Sequence, residues 1–230
     1  MWNGKKKAIT FSYDDGILQD IKTIELLDKY NLKATFNVNS GFLGTFNQLF
    51  RNEHSVQHNK IKACELREIY KNHEVAVHGF THPELRQLDE KTIIDEIEID
   101  RKVLSAITGK EVVGMAFPFG FYDDRVVEII KNNTPIKYAR TVTSTYNFDL
   151  QTDLLRFNPT IQETEENLFE VVKRFLEMKT EKYQLLYIWG HTFEMDAEYI
   201  TWEKLEELFK MLANKDDIFY GTNEEVLLAK

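Results

Sequence analysis

The chain has 230 residues, 43% of them hydrophobic, enough to bury one substantial core. Its 29 basic residues against 38 acidic give a formal net charge of -9, and no basic run exceeds Lys5-Lys6-Lys7, so nucleic acid is not an expected partner. A single cysteine, Cys64, excludes an internal disulfide framework, and no run of about 20 apolar residues predicts a membrane span.

In chain order, hydrophobic periodicity predicts strands at Lys7 to Tyr13, Lys33 to Val38, Glu74 to His78, Val112 to Phe117, Tyr138 to Val142, Leu154 to Phe157, Leu185 to Trp189 and Ile218 to Gly221. Amphipathic helices are expected between them, at Leu18 to Tyr30, Ala63 to Asn72, Asp89 to Thr108, Asp123 to Asn132, Glu163 to Lys179 and Tyr199 to Asn214. Strand and helix in alternation imply a mostly parallel sheet. Eight candidate strands and six helices suggest one irregular (β/α) barrel of seven or eight mostly parallel strands, with a doubly wound open sheet as the competing arrangement. The stretch from Thr143 to Asp153 crosses without a helix, and Ser40 to Asn59 reads as an excursion over one barrel face. No linker, repeat or low-complexity tract interrupts the chain, so residues 1–230 are expected to form one domain. The start, "MWNGKKKAITF", carries positive charge but no apolar stretch of signal-peptide length, which makes cytoplasmic localisation the expectation.

In a barrel of this kind the chemistry collects where strands end, at the C-terminal face. Asp14 and Asp15 end the first predicted strand, Asn37 and Asn39 the second, His78 and His82 the third, Pro118 and Phe119 the fourth, Arg140 the fifth and His191 the seventh. Adjacent carboxylates behind a buried strand must be solvated, paired or bound to a cation. In "HGFTHPEL", two histidines four apart reach one point if the residues between them form a helical turn, and two imidazoles aimed at one point want a metal between them. Two histidines and a carboxylate leave coordination positions open, which is a catalytic rather than a structural arrangement.

"TFSYDDG", "HGFTHPEL", "FPFG" and "LLYIWGH", in this order over residues 10 to 191, resemble the successive motifs of the polysaccharide deacetylase family. The resemblance implies an irregular (β/α) barrel and metal-dependent removal of acetyl groups from acetylated sugars. By that pattern Asp14 is the general base, Asp15, His78 and His82 bind one divalent metal, commonly zinc with cobalt, nickel or manganese as other candidates, and His191 is the general acid. The "FPFG" stretch, with Pro118 and Phe119, matches the motif whose backbone helps bind the oxyanion, placing the Phe119 N–H there.

Two positions depart from the pattern. Many family members have an arginine where this chain has Ala116, and Arg140 in "YART" is the candidate substitute, an ordinary structural ion pair being the other reading. The carboxylate that orients His191 is open among Asp149, Asp153, Glu194 and Asp196. Trp189 and other aromatics of the rim loops suit sugar rings, yet packing explains them as well. The expected partner is an acetylated carbohydrate. A metal-dependent amidohydrolase acting on a small non-sugar amide and a carbohydrate-binding pseudoenzyme on the same fold are the alternatives.

Overall fold

The computed structural model describes residues 1–229. In chain order it contains β1 (Lys7–Asp14), α1 (Asp20–Lys29), β2 (Ala34–Val38), β3 (Gln48–Arg51), β4 (His54–Gln57), α2 (Ala63–Ile69), β5 (Glu74–Val77), α3 (Glu90–Thr108), β6 (Gly114–Ala116), α4 (Asp124–Asn133), β7 (Tyr138–Arg140), β8 (Ile161–Gln162), α5 (Leu168–Glu177), β9 (Gln184–Gly190), α6 (Trp202–Leu212), β10 (Ile218–Tyr220) and α7 (Asn223–Leu227). The parallel sheet runs β7-β6-β5-β2-β1-β9-β8, and β10 pairs with the first half of β1. Between β7 and β8 the chain bridges the gap. Phe157 pairs with Arg140 and donates its N–H to the Ala139 carbonyl at 3.0 Å, while the Thr160 N–H reaches the Tyr187 carbonyl at 2.8 Å. These contacts curl the sheet into the expected irregular barrel.

β1 is buried along its whole length, and the period-2 alternation of its side chains divides two environments. Ile9, Phe11 and Tyr13 face the helices in the main apolar core, where Phe11 meets Phe209 edge-on at 5.1 Å and Tyr13 stacks on Phe36 at 5.7 Å. Thr10, Ser12 and Asp14 face the lumen, which is a hydrogen-bonded column. At its base the side chain of Asn223, on α7, accepts from the Thr10 hydroxyl at 2.9 Å, and the Asn223 N–H donates to the Thr35 hydroxyl at 2.8 Å. At its top the Asn37 amide donates to Ser12 and to Asp14, each at 2.9 Å. The polar residues of β1 are therefore satisfied inside the barrel and lead to the rim.

The helices carry local start and stop signals. Asp89 accepts from the Thr92 N–H at 2.9 Å to cap α3, and Gly109, at φ 75°, ends it. Asp123 caps α4 through the Val126 N–H at 2.8 Å. No helix among the described residues is long and apolar enough to cross a membrane.

Two expectations are corrected and one is refined. The strand expected at Leu154 to Phe157 is a 3-10 turn over Leu154–Arg156, because the Asp153 carboxylate accepts from the Leu155 N–H at 3.2 Å and competes with sheet pairing. Sheet contact passes instead to Phe157 and β8. The helix expected from Glu163 starts at Leu168: residues 161–163 run along β9, with the Glu163 N–H on the Trp189 carbonyl at 2.8 Å, and a turn with the Leu168 N–H on the Glu165 carbonyl at 3.0 Å separates them from the helix. Within the excursion from Ser40 to Asn59 lies the antiparallel hairpin β3–β4, whose mostly exposed residues lack the alternation that marks a half-buried strand.

Candidate active site

The rim around the end of β1 opens into a cleft of about 1080 Å³, lined among others by Asp14, Asp15, His78, His82, Phe119, Trp189, His191 and Glu194. Asp15 turns the chain sharply out of the strand at φ 85°, with its N–H on the Asn37 carbonyl at 2.9 Å. Gly16 follows at φ 62°, and a Cβ there would stand 2.8 Å from Val38 Cγ1. This turn sends the two neighbouring carboxylates to different partners.

Asp14 is 3% exposed, and the Arg140 Nη2 donates to both of its oxygens, with the Asn37 amide on Oδ1. Arg140 is itself held by Nε on the Ser12 hydroxyl at 3.2 Å, by Nη1 on the Thr141 carbonyl at 3.1 Å and by the Trp189 ring 4.5 Å away. Burial pushes the Asp14 carboxyl up, but the Arg140 charge, followed by His78 and His191, outweighs it and holds Asp14 below its usual range. Asp14 is thus an ionised carboxylate with the His78 Nε2 at 3.7 Å and the His191 Nε2 at 3.9 Å from Oδ2.

Asp15, His78 and His82 bring one ligand atom each within 4.8 Å of one another. His78 donates from Nδ1 to the Ala116 carbonyl at 2.9 Å, which leaves the Nε2 lone pair facing the site. Its backbone is clamped on both sides: the Asp100 carboxylate accepts the His78 N–H at 3.1 Å, and the Asn39 amide donates to the His78 carbonyl at 2.6 Å. The link to His82 is not a helical turn. Gly79 at φ 76° and His82 at φ 52° reverse the chain instead, and the two rings meet edge-on at 4.8 Å. Burial lowers the pKa of both imidazoles, that of His82 to about 4, so both are neutral near pH 7. Asp15 is pushed up by burial, yet the His58 hydrogen bond and the Lys60 charge take it well below the carboxylate range. One ionised carboxylate and two neutral imidazoles with free lone pairs form a donor set that fits a divalent metal.

His191 stands at the end of β9, with a quarter of its side chain reaching the cleft. Glu194, three residues on, accepts the His191 N–H at 2.9 Å and lies 3.4 Å from Nδ1, while the Gln162 amide donates to Glu194 at 2.8 Å. Of the four carboxylates open in the sequence, Glu194 is the one at His191. Asp149 binds Gln184, Asp153 caps its own turn and Asp196 accepts from the Trp202 indole. Burial pulls His191 down, but the Glu194 hydrogen bond and charge, with Asp14 and Asp15, raise it to about 9.

Phe119 sits on the cleft wall at φ 59° and 56% exposed, and its N–H has no acceptor among the described residues. Pro118 is buried behind it and does not line the cleft. Trp189 lines the cleft but is 6% exposed, its ring face taken by the Arg140 guanidinium. Two residues of the site carry no sequence signal. His58 and Lys60 lie in the polar stretch "QHNK", and only the fold brings them to Asp15.

The family model described as polysaccharide deacetylase matches residues 2–137, more than half of the chain. No curated protein matches the sequence. Among solved structures, a polysaccharide deacetylase from Bacillus cereus aligns at 21% identity and TM-score 0.52, covering 64% of this chain and 44% of that one. The Xyl-CE4 domain of a multidomain xylanase from the hindgut metagenome of Trinervitermes trinervoides aligns at 16% identity and TM-score 0.63, covering 98% and 91%. A CE4 family pseudoenzyme from Bacillus anthracis aligns at 18% identity and TM-score 0.54, covering 99% and 66%. The chain thus spans less than half the length of the Bacillus cereus protein and nearly all of the xylanase's Xyl-CE4 domain, and these likenesses establish the barrel fold. With its matched sequence running from the first strand through "FPFG", the chain belongs to the polysaccharide deacetylase family, whose members remove acetyl groups from sugars.

Proposed function

We propose that this chain is a metal-dependent hydrolase that removes N-acetyl or O-acetyl groups from an acetylated sugar or oligosaccharide. One observation carries the reading: two adjacent aspartates are split between two tasks. Arg140 and Asn37 take Asp14, while Asp15 faces two neutral imidazoles.

A divalent cation held by Asp15, His78 and His82 would polarise the acetyl carbonyl and make water acidic enough to attack near neutral pH. Asp14, kept ionised and aimed by Arg140, accepts the proton of the attacking water. The Phe119 N–H donates to the carbonyl oxygen as it gains charge. His191, protonated below about pH 9 and oriented by Glu194, gives its proton to the departing nitrogen, because an amine anion does not leave unaided. Acetate and a free amine result. An Asp14 left without a guanidinium by Ala116 would favour a binding-only protein, and the Arg140 contact to both Asp14 oxygens weighs against that alternative.

The test is acetate release from N-acetylated and O-acetylated sugars, their oligomers and small acylated amides. Each is measured on metal-free protein, after loading with zinc, cobalt, nickel or manganese, and with chelator. Turnover of acetylated sugars that appears on loading and disappears with chelator is the expected result. Metal-dependent turnover confined to small amides would favour the amidohydrolase, and sugar binding without turnover under any metal would leave a binding protein.

A further inference from the structure

The hairpin β3–β4 reaches the metal-ligand cluster as well as the cleft wall. The chain leaving β4 runs antiparallel to the residues after Asp15: Ile17 pairs with Lys60, the Ile61 N–H donates to the Gly16 carbonyl at 3.0 Å, and the Leu18 N–H donates to the Asn59 carbonyl at 2.9 Å. Its other edge is pinned to the start of the hairpin, by the His58 N–H on the Asn47 carbonyl at 2.8 Å and the Lys60 N–H on the Thr45 carbonyl at 2.9 Å.

This ladder lays two side chains on Asp15. The His58 Nε2 is 3.0 Å from Asp15 Oδ2, whereas Lys60 Nζ donates to the Asp15 backbone carbonyl at 2.7 Å and lies farther, 3.5 Å, from Oδ1. His58 is 7% exposed, its ring meets Phe193 edge-on at 5.6 Å, and its Nδ1 has no hydrogen-bond partner. An imidazole buried at the cost of one unpartnered nitrogen is placed for the contact made by the other. Facing a carboxylate, Nε2 carries the proton and donates. His58 itself lies outside the cluster of Asp15, His78 and His82.

We propose that His58 is a positioning residue for the metal site, holding the Asp15 carboxylate toward His78 and His82, so that the metal site and the hairpin beside the cleft order one another. The inference rests on the metal-dependent reading above. A carboxylate on a short side chain rotates about its last bond, and a donor on one oxygen removes that freedom before a cation arrives. Lys60 does not replace this contact, because its ammonium donates to the backbone carbonyl at 2.7 Å and stands 3.5 Å from the other carboxylate oxygen, Oδ1, not at Oδ2 where His58 donates. By linkage, whatever affinity the cation gains from an ordered hairpin, the hairpin gains in order from the cation.

Three proteins test it: wild type, His58→Phe, which keeps a ring against Phe193 without a donor, and His58→Gln, which returns an N–H near the place of Nε2. Cobalt affinity is measured by competition with a chromophoric chelator, the cobalt site by its visible absorption, and the amides of residues 45–61 by hydrogen exchange with and without zinc. His58→Phe is expected to weaken cobalt binding by about 10–100-fold, to alter the spectrum and to abolish the protection zinc gives the His58 and Lys60 amides, while His58→Gln restores most of the affinity. Should His58→Phe not fold, His58→Met against His58→Gln carries the same comparison. Equal affinity and equal spectra with and without the donor overturn the proposal. A wild type that binds neither cobalt nor zinc overturns the metal reading instead.

Discussion

Arg140 on β7 is the direct register partner of Ala116 on β6. The guanidinium that the family pattern leads one to expect at position 116 therefore arrives from the adjacent strand at the same height in the barrel. From there it reaches both oxygens of Asp14, 126 residues away in sequence. Ala116 is not idle in this exchange, since its carbonyl accepts from His78 and turns that ring toward the site. The residue type has moved sideways, and the contact to the aspartate is kept.

Replacing Arg140 by Met should cost about 3–5 kcal/mol of unfolding free energy, because it strands the buried Asp14 charge rather than removing a pair. Adding Asp14→Asn to that variant should recover part of the loss. Chemical denaturation of the two single variants and the double variant gives the coupling. Additive losses would show that Arg140 supports the barrel through Ser12, Thr141 and Trp189 and not through Asp14.

Asp14→Asn alone should retain the metal and lose turnover by about 10²–10⁴-fold, since a near-isosteric side chain stays while the proton acceptor goes. Metal content after loading is read alongside kcat. A variant that no longer binds metal would exchange the roles of the two aspartates.

Asp100 and Asp20 are both fully buried carboxylates pushed up to about 7 by burial, yet their partners differ. Asp100 accepts two backbone N–H groups, from Ser40 at 2.7 Å and His78 at 3.1 Å, which cannot reverse their polarity. Asp20 accepts from the hydroxyls of Tyr70 and Thr192, which rotate and can accept in turn. Asp100→Asn should therefore destabilise by about 1–3 kcal/mol, with Asp20→Asn costing clearly less. Thermal unfolding of both variants at one pH decides it, and equal costs would sink the argument.

The parallel character of the sheet, the strands β1, β2, β5, β6, β7, β9 and β10 and the helices α1 to α6 were legible because buried strands and amphipathic helices leave period-2 and period-3.6 traces, whereas the two-residue β8 is too short to leave one. Asp14, Asp15, His78, His82 and His191 were legible as positions because polar residues follow those strands at once. The hairpin β3–β4 was not, since its strands are largely exposed and leave little apolar alternation. His58 and Lys60 were hidden for the same reason. Their approach to Asp15 depends on a backbone ladder between residues 16–18 and 59–61, and pairing of that kind has no local signature. Glu194 was one of four candidates, and only a one-turn helix directly after His191 selects it.

His191 has its pKa raised to about 9, against an ordinary value near 6.5. A raised folded value means that its contribution to stability is complete below about pH 6.5 and is lost as pH climbs through about 9. Metal-free protein should lose that increment across this window, and Glu194→Gln should flatten the curve and move the His191 titration downward. Imidazole proton shifts followed by NMR, with denaturation at each pH, measure both. An unchanged His191 titration in Glu194→Gln would assign the shift to Asp14 and Asp15 instead.

The leaving group gives the sharpest test of His191. An amide nitrogen must be protonated before its bond to carbon breaks, whereas a phenolate of low pKa departs without help. If His191 is the proton donor, His191→Ala should lower kcat on an N-acetylated substrate by about 10²–10⁴-fold and on an activated aryl acetate by far less. The imidazole Nε2 lies 3.9 Å from Asp14 and its ring touches Phe193, so the alternative is that it merely shapes the cleft. The two substrates separate these roles at matched metal occupancy. A structural loss disturbs Asp14 and the ligand cluster for both, so equal falls on amide and ester would remove His191 from the proton-transfer step.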